Sequence, residues 1–110
     1  MIPGQMLKGN LEDCVLAIIS IGETYGYEIV QKLEDFGFGS IAEGTVYPLL
    51  LRLEKQGFVV TEMRSSEMGP KRKYYRITDG GKAEIVSFIS SFRELAEAVE
   101  NLMREVAKGE

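Results

Sequence analysis

The sequence predicts a mainly α-helical domain with one small β-hairpin, an α+β fold. Apolar residues recur at helical spacing in three segments before residue 58, and two short strand-like segments lie between residues 58 and 77. A heptad apolar pattern follows from residue 78 onward. The length of 110 residues is typical of one globular unit. We expect residues 1–78 to form the compact part and residues 79–110 to form a long terminal helix.

Two helices are predicted in the first third of the chain, after a frayed arm that precedes Asn10. The first helix begins after Asn10, a favourable N-cap residue, and ends at Gly22. The second is opened by Thr24 and extends to about Asp35, where a Phe-Gly-Phe-Gly segment breaks it. Its predicted buried face consists of Tyr27, Ile29, Val30 and Leu33.

A third helix is predicted from a capping box, in which Ser40 is followed three residues later by Glu43. It extends to about Gln56 and stops at Gly57. Its core face is expected to contain leucines, so its other faces remain available for polar contacts.

The hairpin is predicted from strand patterns at residues 58–63 and 71–77. The intervening residues 65–70 have turn chemistry, and the tip is expected to be too long for a tight two-residue turn. Tyr74 and Tyr75 must face opposite ways on a strand, so one of them is expected in the core beneath the hairpin.

The last helix, capped by Thr78 and Asp79, is predicted to reach about Val106. Its apolar residues alternate at intervals of three and four, which is the spacing of a heptad seam. At ~1.5 Å per residue the helix would be roughly 42 Å long. Part of its apolar face is expected to pack on its own domain, and part against a second copy of the chain. The seam assigned to dimerisation contains Phe88, Phe92, Leu95, Val99, Leu102 and Val106.

Composition excludes several classes of function. The chain has no histidine and one cysteine, Cys14, so Cys/His zinc sites, disulfides within the chain and histidine-dependent nucleophilic catalysis are excluded. The adjacent acids Glu12 and Asp13 point apart on a helix and are interpreted as a solvated face. Cys14 is interpreted as a buried, inert thiol. We expect no enzyme activity and no cofactor. No apolar run approaches the ~20 residues of a membrane helix, and we expect a reduced, cytoplasmic protein.

Charge is unevenly distributed. The formal net charge is −4, yet residues 45–76 hold seven basic and three acidic side chains, a net charge of +4 between two acidic ends. Such local asymmetry is common in nucleic-acid-binding proteins. A short glycine-containing connection joins helices two and three, as in a helix-turn-helix, and a basic hairpin follows. This order of elements is typical of a winged helix.

Four motifs resemble one family. The segments at 25–29 (YGYEI), 44–50 (GTVYPLL), 52–58 (RLEKQGF) and 69–78 (GPKRKYYRIT) closely resemble the PadR family of bacterial transcriptional regulators. The match runs from about Met6 to the start of the last helix, and a single terminal helix resembles the short subfamily. The resemblance implies a winged helix-turn-helix DNA-binding domain at residues 1–78, a homodimer through the helix at 79–110, and repression of transcription.

The resemblance also implies that Thr45 and Tyr47 face a double-stranded DNA operator near the start of the third helix, in the major groove. Physical reasoning adds two groups of basic residues. Arg52 and Lys55 could bind phosphates further along the helix. Lys71 and Lys73 of the hairpin could hold flanking phosphates, while Arg72 is the candidate for the minor groove or a bidentate phosphate contact.

Alternatives remain open for each of these sites. Tyr47 could instead pack against the hairpin, and the hairpin lysines could form a solvated edge. The domain could be a winged-helix protein–protein interaction module without specific DNA binding. Some family members sense flat aromatic molecules, so the dimer could also enclose a cavity lined by Phe88, Phe92 and Val99 for a small aromatic effector.

Overall fold

A computed structural model describes residues 1–66 and 68–109. Glu67, in the predicted turn, and Glu110, at the end of the predicted last helix, lie outside the described residues. The helices are α1 (Gly4–Leu7), α2 (Leu11–Ile21), α3 (Gly26–Asp35), α4 (Glu43–Lys55) and α5 (Asp79–Lys108), and the strands are β1 (Thr24–Tyr25), β2 (Val59–Ser66) and β3 (Gly69–Ile77). The predicted α+β fold is confirmed.

The core forms where α2 packs against α3, α4, α5 and the base of the sheet. Its fully buried members are aliphatic side chains at helical spacing, which bury one face of each helix. They are Val15, Leu16, Ile18 and Ile19 from α2, Ile29 and Leu33 from α3, and Val46, Leu50 and Leu53 from α4. Val59, Tyr75 and Ile85 complete the core from the hairpin and α5.

Thr24 does not open a helix as predicted. Thr24 and Tyr25 instead form β1, which lies antiparallel to β3 with Thr24 opposite Tyr75. The sheet therefore has three strands in the order β1-β3-β2. The prediction that Tyr27 is buried is also wrong, since its side chain is 56% exposed. Ile29 sets the buried face of α3, and at ~100° per residue Tyr27 lies on the opposite side.

Helix ends follow the predictions in part. Thr78 caps α5 by accepting a hydrogen bond from the Gly81 N–H at 3.1 Å, and Gly57 ends α4 with a φ of 77°. The predicted capping box is wrong, because α4 begins at Glu43 after Ala42, which has no side chain able to cap it. Asn10 precedes α2, but its side chain donates to the Met6 carbonyl and caps nothing.

The hairpin extends further than its sequence pattern indicates. β2 and β3 pair continuously from Val59 opposite Ile77 to Arg64 opposite Arg72, with a register shift before Ser66 pairs with Gly69. The prediction of a long turn from residue 65 is therefore wrong. Ladder hydrogen bonds beyond residue 64 outweigh the local turn preference of the serines and glycine.

Helix α5 projects from the domain, and the chain including α5 measures 61 × 28 × 19 Å along its principal axes. Ile85 near its start is buried in the core, so this helix packs on its own domain there as expected. Within the described residues, no helix has the length and apolar character needed to cross a membrane.

Two carboxyl groups meet where α2 packs on α5. The Asp13 carboxyl is hydrogen-bonded to Glu84, and burial together with this acidic partner raises the Asp13 pKa to about 6. Asp13 is therefore not the solvated group that its sequence position suggests. The neighbouring Cys14 is half-buried, and burial raises the pKa of its thiol, which keeps the sulfur protonated and weakly reactive.

We predict that Asp13→Asn stabilises the protein above pH 6. The raised pKa means that the fold favours the protonated acid, so this contribution is complete below pH 3.8 and is lost as the pH rises through about 6. An amide retains a donor for Glu84 and carries no charge. Solvent screening reduces the gain to about 1 kcal/mol. Urea unfolding at about pH 8 and about pH 4 measures it. An equal loss of stability at both pH values would contradict the prediction, and Glu34→Gln is the exposed control.

Candidate nucleic-acid interface

Helix α4 has one buried face and one exposed face. Val46, Leu50 and Leu53 point into the core, and the opposite side carries Gly44, Pro48 and Lys55, all exposed. Because α3 and α4 pack against each other and against α2, the exposed face of α4 points away from the body of the domain. This face is the one available to a groove of DNA.

Thr45 and Tyr47 lie on opposite flanks of that exposed face, since two residues turn a helix by ~200°. Thr45 lines a groove of about 810 Å³ beneath the N-terminal arm, together with Arg52. Tyr47 lines a second groove of about 590 Å³ on the other flank. Both side chains are exposed, so the structure leaves both available as contacts on either side of α4.

The second groove, here called the wing groove, lies between α4, the start of α3 and the hairpin. Its walls include Tyr47 of α4, Tyr27 of α3, and Lys71 and Arg72 of β3. The Tyr47 ring rests against Gly26, where a Cβ would lie only 3.0 Å from Tyr47 Cε1. The missing side chain at position 26 therefore lets the Tyr47 ring pack at this position, where it remains 48% exposed.

The outer face of the sheet carries two adjacent aromatic rings with a guanidinium group stacked at each end of the pair. The Tyr25 and Tyr74 rings meet edge to face with centroids 5.4 Å apart. The Arg72 guanidinium carbon lies 4.6 Å from the Tyr25 centroid, and that of Arg64 lies 4.5 Å from the Tyr74 centroid. Such stacking orients the guanidinium planes without neutralising them. Arg64 is also ion-paired with Glu23 and Glu62. Neither of these two carboxylates pairs with Arg72, which stacks on Tyr25.

Five of the seven residues assigned to DNA contact are cations, and they differ in whether they form ion pairs. Arg52 Nε lies 2.7 Å from Glu12 Oε1, and Lys73 Nζ lies 2.9 Å from Glu54 Oε1. By contrast, none of the carboxylates in residues 1–66 and 68–109 forms a salt bridge with the remaining three cations, which are Lys55, Lys71 and Arg72. A surface cation without a carboxylate partner can neutralise a phosphate without first giving up an ion pair.

The first turns of both helices of the helix-turn-helix also face this region. Neither Tyr25, which precedes α3, nor Ala42, which precedes α4, caps its helix with a side chain. Helix N-termini without a side-chain cap present N–H donors and positive dipole to anions. Glu43 lies in the first turn of α4 and lines the wing groove, so it places one negative charge beside these donors.

Most of the predicted dimer seam is exposed in the single chain. Phe92, Leu95, Val99, Leu102 and Val106 keep 44–65% of their surface accessible. Phe88 is half-buried, and its ring centroid lies 5.9 Å from that of Phe92. Neither of the two grooves described above contains Phe88, Phe92 or Val99. The aromatic effector site therefore stays a prediction.

Sequence reasoning missed three residues in this region. Tyr25 stacks with Arg72, Glu43 lines the wing groove, and Glu54 joins α4 to the hairpin. Tyr25 lies in the family-like motif at residues 25–29. Its aromatic ring is the one sequence feature that could have marked it as a stacking partner for a cation. No signal in the sequence pairs Glu54 with a partner 19 residues away.

Comparison with known proteins places this geometry in a family. The model of the transcriptional regulator PadR-like family matches residues 15–87. A solved PadR-like transcriptional regulator from Bacillus cereus is 47% identical, with a TM-score of 0.81 over 91% of this chain and 97% of that one. A transcriptional regulator from Mycobacterium tuberculosis is 36% identical over 88 residues, 80% of this chain and 74% of its own.

A further relative is a negative transcriptional regulator from Bacillus subtilis. It is 30% identical over 95 residues, 83% of this chain and 51% of its own length. The relatives named above are transcriptional regulators rather than enzymes, and the PadR-like neighbours share this winged-helix fold. The fold, with its helix-turn-helix, three-stranded sheet and long α5, agrees with the sequence match. The chain therefore belongs to the PadR-like family of transcriptional regulators.

Proposed function

We propose that the protein is a homodimeric repressor that binds a double-stranded DNA operator. Helix α4 enters the major groove, and the hairpin, which acts as the wing, lies on the adjacent backbone or in the minor groove. One observation carries this proposal: Tyr47 of α4 lines the same groove as Lys71 and Arg72 of β3, two cations that pair with no carboxylate of residues 1–66 and 68–109. A DNA strand along that groove would meet a hydroxyl and two cations.

The proposed contacts are mainly to phosphates. Thr45 and Tyr47 supply hydroxyls on the two flanks of α4, and Lys55, Lys71 and Arg72 supply positive charge that no carboxylate in the described part of the chain neutralises. Base reading by α4 is limited, since its outward face presents Gly44 and Pro48 at its centre. Much of the specificity would therefore come from DNA shape. Arg52 stays a predicted contact, which would have to exchange Glu12 for a phosphate.

The proposed dimer forms through the exposed stripe of α5. Large apolar side chains at heptad spacing bury themselves against a second helix of the same kind. A symmetric dimer would bind half-sites about one helical turn apart, ~34–36 Å, or a multiple of this distance. Repression is supported by the relative from Bacillus subtilis, which is named a negative regulator.

The proposal is tested by fluorescence anisotropy on the DNA upstream of the protein's own gene, with random duplex as competitor at two salt concentrations. Tight binding that survives the competitor and falls steeply with salt is expected. Equal, weak binding to both duplexes would contradict operator binding at this site. A pull-down would then test the alternative of a protein-interaction module.

We predict that Arg72→Ala weakens binding and lowers the salt slope by about one, since one phosphate contact and its released counterion are lost. The slope is obtained by plotting the logarithm of the binding constant against the logarithm of the salt concentration. Lys108→Ala removes the same charge at the far end of α5 and should leave the slope unchanged. An unchanged slope in Arg72→Ala would remove Arg72 from the contacts.

A further inference from the structure

One carboxylate joins the recognition helix to both strands of the wing. Glu54 lies on the last turn of α4, where its Oε1 accepts a hydrogen bond from Lys73 Nζ at 2.9 Å and its Oε2 accepts one from Thr61 Oγ1 at 3.1 Å. Thr61 is on β2 and Lys73 is on β3. This cluster of Glu54, Thr61 and Lys73 is here called the Glu54 bridge.

The Glu54 bridge lies where the sheet changes from three strands to two. β1 pairs with β3 only at Tyr74 and Tyr75. Lys73 is the next residue toward the tip. From Lys73 onward, β3 pairs with β2 and no longer with β1. A two-stranded ribbon twists and bends easily. The position of Lys71 and Arg72 relative to α4 therefore depends on whatever holds the ribbon at this point.

The charges of Glu54 and Lys73 also indicate that the Glu54 bridge holds the hairpin in position. The hydrogen bond to Lys73 is the largest cause of the lowered Glu54 pKa, and the hydrogen bond to Glu54 raises the Lys73 pKa, so both groups are charged at neutral pH. Exposed ion pairs add little to stability, and this one is partly exposed. Its contribution is therefore to the geometry of the wing. A lysine already held by a carboxylate also offers little net charge to a phosphate.

We propose that Glu54 is a positioning residue for DNA binding, which uses Lys73 to hold the wing at a set distance from α4. Of the three adjacent cations, Lys71 and Arg72 bind DNA and Lys73 does not. The inference rests on the DNA-binding function proposed above. It revises the sequence-based assignment of Lys73 to a phosphate contact.

The first test needs no DNA. Hydrogen exchange of the backbone amides at residues 63–66, 71 and 72 is compared in the parent protein, Glu54→Gln and Lys73→Met. Both variants are expected to exchange faster in this segment, with a melting temperature close to that of the parent. Lys73→Arg keeps a cation for Glu54 and should restore protection. Unchanged exchange in both variants would overturn the proposal, whatever the DNA experiments give.

The second test uses the salt slope of operator binding. Lys73→Met should weaken specific binding about two- to fivefold, as expected for loss of a partly exposed ion pair, with an unchanged slope. Lys71→Met should lower the slope by about one. Glu54→Gln should weaken discrimination between operator and random duplex, because it releases Lys73 to bind any phosphate. The remote ion pair Glu105–Lys108 supplies the control variants Glu105→Gln and Lys108→Met.

The outcomes separate the two proposals. A slope lowered by about one in Lys73→Met would make Lys73 a phosphate contact and overturn the bridge. If the parent protein failed to distinguish operator from random duplex, the proposed function would fail instead. The hydrogen-exchange result would then still decide whether Glu54 holds the wing.

Discussion

A Gly81→Ala variant is expected to lose at least ~3 kcal/mol of stability, at the upper end of the cost of overpacking a core. Gly81 is buried in the first turn of α5. A Cβ there would lie 2.2 Å from the Phe58 carbonyl oxygen and 2.7 Å from Ile77 Cγ1. The Phe58 backbone cannot retreat freely, because its N–H donates to Leu53 and its carbonyl accepts from Thr78, both at 3.0 Å.

Gly80 provides a matched control of opposite sign. A Cβ at position 80 would meet its nearest neighbour, Thr78 Oγ1, at 3.7 Å, which is ordinary van der Waals contact. Gly80→Ala should therefore gain ~0.5–1 kcal/mol from helix propensity. Thermal unfolding followed by circular dichroism measures both variants, and ~3 kcal/mol corresponds to roughly 12–24 °C in a domain of this size. A Gly81→Ala variant as stable as the parent would contradict the close packing of α5 on the hairpin base.

A Val99→Glu variant is expected to be monomeric and to lose most of its operator affinity. Val99 is already 44% exposed in the single chain, so a charge there leaves the monomer folded. In the proposed dimer the same charge would be buried in the seam without a partner, which is strongly unfavourable. A monomer binds one half-site at a time, so the affinity should fall about a hundredfold or more.

Sedimentation velocity and fluorescence anisotropy measure the two effects on the same sample. Ser90→Glu adds the same charge on the side of α5 opposite the seam, and it should stay dimeric with unchanged affinity. An intact dimer in Val99→Glu would place the dimer contact on another surface. Monomers with full operator affinity would contradict the proposal that two half-sites are bound together.

The elements that could be predicted from the sequence are those specified by local signals. The Gly57 stop works because its φ of 77° suits a residue without a Cβ, and Thr78 caps α5 through a residue three positions away. The ion pair between Glu28 and Lys32 spans one helical turn. Each of these depends on neighbours within four residues, so the pattern in the chain is sufficient to predict it.

The elements that could not be predicted depend on distant partners. β1 is two residues long and exists only because β3 pairs with it some 50 positions later. Asp13 meets Glu84 from another helix, which converts a solvated acid into one with a raised pKa. Ala42 precedes α4, although Ser40 is the better N-cap residue by type. The packing of Val46 and Leu50 in the core decides where the helix begins.

The sequence by itself determined the α+β class, the order of the helices and the hairpin, the basic middle third and the family. It did so because periodicity, caps and short motifs are local properties of the chain. Only the tertiary structure decided which cations form ion pairs with the described carboxylates. Lys71 and Lys73 are the same residue type two positions apart on β3, and Lys73 differs from Lys71 because folding brings Glu54 within 2.9 Å of its ammonium group.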